Sequence, residues 1–250
     1  PNEAKDIKKA IKGGNDTATL MVDAVLEEGT GVTYNVIGKI KGKSSDQQIL
    51  IAGHYDKYWY GFQDDSAAIA LDFAVAKALI DSGYTPENDI IVVAHGAEEW
   101  GASGTQFDYT TGAWGMMHEA DLGWDGKTLA LLNCELPAFE VKGNQLQIAA
   151  VPEFGTFVNK MVAETGLAAT AGEVTISEEP GSVNVMEDGV SYRWHGVPYI
   201  INGFEDESFM QERYHTAFDD RETWHEETMR TNINWFGAFA IYIDKMPALE

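Results

Sequence analysis

Basic residues are scarce in this chain, with 17 Lys and Arg against 40 Asp and Glu and a formal charge of −23. Phosphate recognition needs clustered Lys and Arg, so this balance argues against nucleic acid and anionic membrane surfaces as partners. Cysteine is nearly absent too. Cys134 stands alone, which rules out an intrachain disulfide and leaves compartment unread from redox usage. No apolar run approaches the roughly 18–20 residues that span a bilayer. There is no Gly-x-Ser-x-Gly elbow and no phosphate-binding loop, so two large enzyme classes lose their signature. His225-Glu226 opens a metalloprotease-like pattern, but Met229 stands where the second His belongs.

What remains is ample core material, 44% hydrophobic and 11% aromatic over 250 residues. One domain over 1–250 is the natural expectation. Its first 30 residues form a polar, helix-leaning lead-in broken at Gly13-Gly14. The chain begins at Pro1 without a signal peptide, which suggests a processed piece whose targeting segment has been removed.

Hydrophobic patterning predicts strands over 32–40, 48–52, 89–94, 128–133 and 199–202. Helices are predicted over 66–81, from about Trp100, over 153–164 and over about 222–245. Strands alternating with helices imply an α/β fold, a three-layer sandwich with a mostly parallel central mixed sheet flanked by helices. Such sheets gather their sites at the carboxyl ends of strands. His54 and Asp56 follow one predicted strand, Glu98 and Glu99 the next, Glu135 a third and, beyond a loop, His215 a fourth.

Taken singly, each of these has a plainer explanation. His54 could be a strand-end histidine and His215 a loop one. Asp64-Asp65 and Glu98-Glu99 could be helix-start acids. His95, His118 and His195 read as structural or surface residues, and Cys134 as a small buried one. Taken together, two His and three carboxylates suit Zn²⁺ with coordination positions left open, the mark of a catalytic site.

The motifs then resemble one family. His54-x-Asp56, Gly61-Phe62-Gln63-Asp64-Asp65-Ser66 and Ala97-Glu98-Glu99-Trp100-Gly101 are similar to the co-catalytic di-zinc exopeptidases. That family includes bacterial leucyl-type aminopeptidases, glutamate carboxypeptidase II and the transferrin receptor. Asn133-Cys134-Glu135, the segment from Asp188 to Pro198, and Tyr214-His215-Thr216 with Asp219 and Asp220 continue the match in order.

The resemblance implies two Zn²⁺ ions held by His54, Asp64, Glu99, Glu135 and His215, with Asp64 bridging. It pairs Glu99 and His215 on one ion, and His54 and Glu135 on the other. It makes Glu98 the general base, Asp56 the partner that orients His54, and Tyr214 a hydrogen-bond donor to the developing oxyanion. It also implies a cis peptide between Asp64 and Asp65. Its expected substrate is a peptide cut from its amino end, at an extracellular or cell-envelope location, with oligomeric state left open. A carboxypeptidase would need cations for the substrate carboxylate, with Arg193 and Arg213 as the candidates. A single-zinc glutaminyl cyclase-like enzyme and a catalytically silent receptor-like module are the remaining alternatives. Glu135 in place of Asp, Ser66-Ala67-Ala68 in place of Ala-Ser-Gly, and Glu187 in place of Ser are the departures from the family pattern.

Overall fold

Strands buried on both faces read as near-continuous aliphatic runs, and four such runs lie side by side at the centre of one sheet. They are β2 (Gln48–His54), β3 (Asp89–His95), β4 (Thr128–Asn133) and β7 (Tyr199–Asn202), with every residue of β2, β3 and β7 buried. The computed structural model describes residues 2–14, 17, 19, 21–23, 25, 31–44, 46–101, 109–120, 122–140, 146–150, 152–167, 174–177, 187–202 and 207–246. Adjacent central strands run parallel, with Ile51 opposite Val92 on one side and Leu132 on the other, and Leu132 opposite Ile200. Their carboxyl ends therefore point one way.

Among the described residues the sheet has seven strands in the order β1-β3-β2-β4-β7-β5-β6. β1 (Val36–Ile40) closes one edge antiparallel to β3. On the other side β5 (Leu146–Ala150) runs antiparallel to β7, and β6 (Val174–Ser177) runs parallel to β5. The expected mostly parallel mixed sheet is present. β5 and β6, of five and four residues, were not expected from the sequence.

Helices flank the sheet in two groups. α2 (Ala68–Asp81) packs on β2 and on α7 (Glu226–Asp244), with α4 (Pro152–Thr165) beside α7. The second group is α3 (Thr111–His118) against α5 (Gly189–Trp194), which touches β4 and β7. Among the described residues the remaining α-helices are α1 (Asn2–Lys12) and the short α6 (Glu207–Glu212). Trp235, Phe236 and Phe239 of α7 are fully buried, as are Leu71, Tyr192 and Tyr199. Each large apolar side chain of this kind contributes roughly 1.5–3 kcal/mol by leaving water. Asp244 pins the end of α7, accepting from Tyr84 Oη (2.6 Å) and from the Glu87 and Asn88 N–H groups (both 2.8 Å).

Several boundaries differ from the sequence expectation. The first strand covers 36–40 rather than 32–40. It is an edge strand with Val36 and Ile37 exposed, so alternation alone overextends it. α2 starts at Ala68, not Ser66, because residues 62–67 wind as a wider turn with non-helical angles at Asp64 and Asp65. The last helix starts at Glu226, after a 3₁₀ turn at Arg221–Thr223, and His225 caps it by accepting from the Thr228 N–H. Trp100 and Gly101 are not helical, and residues 102–108, over which that helix was expected to continue, lie outside the described residues.

Candidate metal centre

His54 is the last residue of β2, and its ring is buried. Nδ1 faces the Asp56 carbonyl at 3.0 Å. A carbonyl only accepts, so Nδ1 holds a proton and Nε2 is the nitrogen turned toward the acids. Around that Nε2 stand Asp64 Oδ1 at 3.2 Å, Asp65 Oδ2 at 3.8 Å, and Glu98 Oε2 and Glu135 Oε1 at 3.9 Å. His215 approaches from the loop before α7. Its Nε2 lies 3.1 Å from Asp64 Oδ2 and 3.2 Å from Glu99 Oε2. Asp64 thus faces one imidazole with each carboxylate oxygen.

Two donor groups result, His54 with Asp65 and Glu135, and Asp64 with Glu99 and His215, each with ligand atoms within 4.8 Å of one another. Buried polar atoms are almost always paired, yet Asp64 Oδ2, Glu99 Oε1 and His215 Nε2 are buried with no hydrogen-bond partner. Imidazole nitrogens and carboxylate oxygens turned inward on one point, with partners missing, form the donor set that Zn²⁺ takes.

The electrostatics agree. Burial pushes the Glu98 carboxyl up to about 10, helped by Asp188, Glu135 and Glu99 and opposed by His54. Burial and the Asp64 charge push Glu99 up to about 7. Glu135 and Asp65 are also raised, first by burial. Burial also works against Asp64 ionising, but His215 and His54 on its two oxygens outweigh it and hold Asp64 at about 2. Burial lowers His54, but Asp65, Asp56, Asp64 and Glu135 raise it well above the usual imidazole range. So many acids in one dry site repel each other unless a cation shares them.

Backbone anchors hold the group in place. Asp56 was expected to orient His54, and its carbonyl meets Nδ1 at 3.0 Å with the carboxylate Oδ1 3.6 Å away. The carboxylate also accepts the N–H groups of Glu98 (2.9 Å) and Glu99 (3.1 Å), clamping the loop after β3. Asp219 does the same for the turn into α2, accepting from Gln63 (2.9 Å) and Asp64 (3.1 Å). The Asp64-Asp65 peptide is cis, as expected. Gly61, with φ of 45°, opens this turn, and a Cβ there would overlap Lys57 and the Asp64 carbonyl.

Glu135 is steadied by Asn202, whose Oδ1 accepts the Glu135 N–H at 2.8 Å and whose amide donates back to the Glu135 carbonyl. Asn202, Asp65 and Tyr58 escape sequence reasoning. Asn202 ends an ordinary apolar strand, Asp65 is one of an acidic pair, and Tyr58 sits in an aromatic run with its ring 4.8 Å from His215. Tyr214 stacks on His215 at 3.8 Å. Arg213 is occupied by the Phe218 carbonyl, Asp220 and Glu222. Glu187, which stands in place of the family's Ser, is buried and accepts from Asn133 Nδ2 (2.6 Å) and the Gly189 N–H (2.8 Å). Residues 178–186, just before it, lie outside the described residues.

The profile of peptidase family M28 matches residues 35–240. The chain belongs to peptidase family M28. The probable leucine aminopeptidase 2 of Aspergillus fumigatus is 33% identical over 99 residues, 39% of this chain and 19% of the relative. The fold is also that of a zinc aminopeptidase from Bacillus subtilis, with a TM-score of 0.64 at 18% identity, covering 83% of this chain and 49% of the other. A glutaminyl cyclase from an Acidobacteriales bacterium shares it too, with a TM-score of 0.65 at 20% identity over 84% and 73% of the two chains. This M28 chain therefore spans about a fifth of the curated relative's length and about half of the Bacillus structure's.

Proposed function

We propose that this M28 domain is a di-zinc exopeptidase that removes residues from the amino end of peptides. The observation that supports it most is Asp64 facing His54 and His215 with its two oxygens, each pair completed by further acids. His54 and Glu135 would hold one ion, Glu99 and His215 the other, and Asp64 both. Asp65 stands beside the first set, contacting backbone rather than solvent, since its oxygens accept from the His54 and Leu136 N–H groups. Bound zinc would supply Lewis-acid polarisation of the scissile carbonyl and of the attacking water.

Glu98 is the acid left outside both ligand sets. Its carboxylate would take a proton from the attacking water and pass it to the leaving amine. The positive charge shared by the ligands would bring its raised pKa down into a working range. Tyr214, fixed against His215, would donate to the oxyanion as it forms.

Substrate polarity is read from the charges at the site. The described residues around it are acidic, and Arg213 is already neutralised by Asp220 and Glu222. A free α-amine suits that field better than a free carboxylate. The test is metal analysis of purified protein with a panel of aminoacyl substrates and C-terminal dipeptides. Two zinc ions per chain and cleavage at amino ends are expected. Absence of hydrolysis with zinc or cobalt supplied would overturn the enzyme reading, and cleavage confined to carboxyl ends would overturn the polarity. Cyclisation of N-terminal glutamine without peptide hydrolysis would assign the chain to the cyclase-like branch instead.

A further inference from the structure

Between His54 and Asp64 the chain passes through three aromatic residues in succession, Tyr58, Trp59 and Tyr60. Trp59 is 64% exposed, and Trp100, next to Glu99, is 59% exposed. Single exposed apolar side chains are ordinary, whereas a cluster of them marks a binding surface. These rings are a cluster. The Tyr58 ring lies 6.0 Å from that of Trp59 and 6.1 Å from that of Trp100, tilted by 45° and 44°.

The cluster is joined to the metal centre. Tyr58 stands 4.8 Å from the His215 ring, and its hydroxyl donates to the Glu99 carbonyl at 3.3 Å. It thus touches both residues assigned above to one ion. The backbone bends to present the next ring, since Trp59 has a φ of 48°. Glycine takes that left-handed conformation freely and a bulky side chain does not. Unfavourable backbone of this kind gathers at binding sites, where the surrounding structure enforces it.

Exposure tells which part of a substrate meets the rings. An exopeptidase site is closed beyond the terminal amine and open where the rest of the peptide continues. The His54 and Asp65 side chains are 1% and 0% exposed, against 38% for His215. The buried acids around His54 suit the amine, so the remaining chain runs out past His215. Tyr58, Trp59 and Trp100 stand on that open side.

We propose that Tyr58, Trp59 and Trp100 form a platform for the residue that follows the scissile bond, and that the substrates are peptides with an aromatic side chain there. The proposal rests on the exopeptidase reading above. An aromatic side chain gains offset or edge-to-face contact with these rings as well as burial. A methyl group gains little of either.

The test compares leucyl-phenylalanine amide, leucyl-alanine amide and leucyl-lysine amide as substrates of zinc-loaded wild type, Trp59→Gly, Trp100→Ala and Trp100→Phe. Glycine suits the turn at residue 59, and zinc content checks that each variant keeps its centre. In wild type, kcat/KM for the phenylalanine substrate should exceed that for the alanine one by about 10-fold. The difference should lie in KM, because the platform touches no reacting atom. Trp59→Gly and Trp100→Ala should each cut the ratio at least about threefold, and Trp100→Phe should keep most of it. The same preference should appear in dissociation constants of zinc-loaded Glu98→Gln, measured by calorimetry.

Cleavage at amino ends with the same ratio in all four proteins would overturn the platform and leave the exopeptidase reading standing. Equal losses on both substrates would do the same, since altered packing slows both alike. Preference for lysine over phenylalanine would also overturn it, giving selection to charge rather than to the rings. A Trp-dependent preference in binding without any hydrolysis would keep the platform and overturn the exopeptidase reading.

Discussion

Asp219 holds Asp64 through the backbone, its Oδ2 accepting the Asp64 N–H at 3.1 Å while Oδ1 accepts that of Gln63. The two acids are 155 residues apart. The segment that carries His215 therefore also fixes the carboxylate that His215 faces, and the halves of the proposed site cannot drift separately.

Replacing Asp219 should consequently damage metal binding without touching a ligand. Asp219→Ala leaves two buried N–H groups unpaired, at about 1–3 kcal/mol each. Zinc affinity should fall by about 10–100-fold, the range for residues that orient ligands. Asp219→Asn, which keeps one acceptor oxygen, should lose less. Competition with a chelator checks this, and equal zinc affinity in all three proteins would show that the turn positions itself.

Glu98→Gln should separate chemistry from metal binding. Glutamine keeps the shape and cannot accept the proton, so turnover should fall by about 10²–10⁴-fold while two zinc ions remain bound. Loss of zinc along with activity would instead make Glu98 a ligand.

How far these residues could be found in advance depends on what each signal encodes. The four central strands were legible because burial on both faces demands unbroken aliphatic runs, and β4 and β7 fall on the predicted residues 128–133 and 199–202. His54, Glu98, Glu99 and Glu135 were legible because each lies at or just beyond a strand end. Asn202 was not, since its role depends on the Glu135 backbone lying opposite, a contact across 67 residues. The further role of the Asp56 carboxylate was hidden for a related reason. Sequence shows that Asp56 is near His54, but only the fold shows that the Glu98 and Glu99 N–H groups are aimed at it. His118 Nδ1 and His195 Nε2, 3.0 Å apart, meet likewise because α3 packs against α5.

Removing the metal should give the protein an unusual pH dependence. Glu99 and Glu187 are both pushed up to about 7 from 4.5, chiefly by burial. A carboxylate with a raised folded pKa binds its proton more tightly in the folded chain. It therefore adds stability that is present below about pH 4.5 and is lost as pH rises through about 7. Glu187 is buried, and its share is on the order of 3 kcal/mol. Chelator-treated protein should melt at progressively lower temperature from pH 5 to 8. Zinc should reverse the trend, because its ligands bind deprotonated. Glu187→Gln should flatten part of the slope in the metal-free protein, and a flat profile for the wild type would contradict the burial of these charges.

Asn202 offers a test of how much the longer Glu135 side chain relies on its backbone being held. The Asn202 side chain accepts from the Glu135 N–H and donates to the Glu135 carbonyl, so both backbone groups depend on one residue. Asn202→Ala removes both contacts beside a side chain that already pays a desolvation cost to enter the site. Asn202→Asp keeps the acceptor but adds a charge to a crowded acidic centre. Under the proposed ligand set, one of the two zinc ions should leave first in Asn202→Ala, and it should be the ion shared with His54. Cobalt substitution followed by visible spectroscopy distinguishes the two positions. Simultaneous loss of both ions would mean that Asp64, rather than Glu135, responds to the change at Asn202.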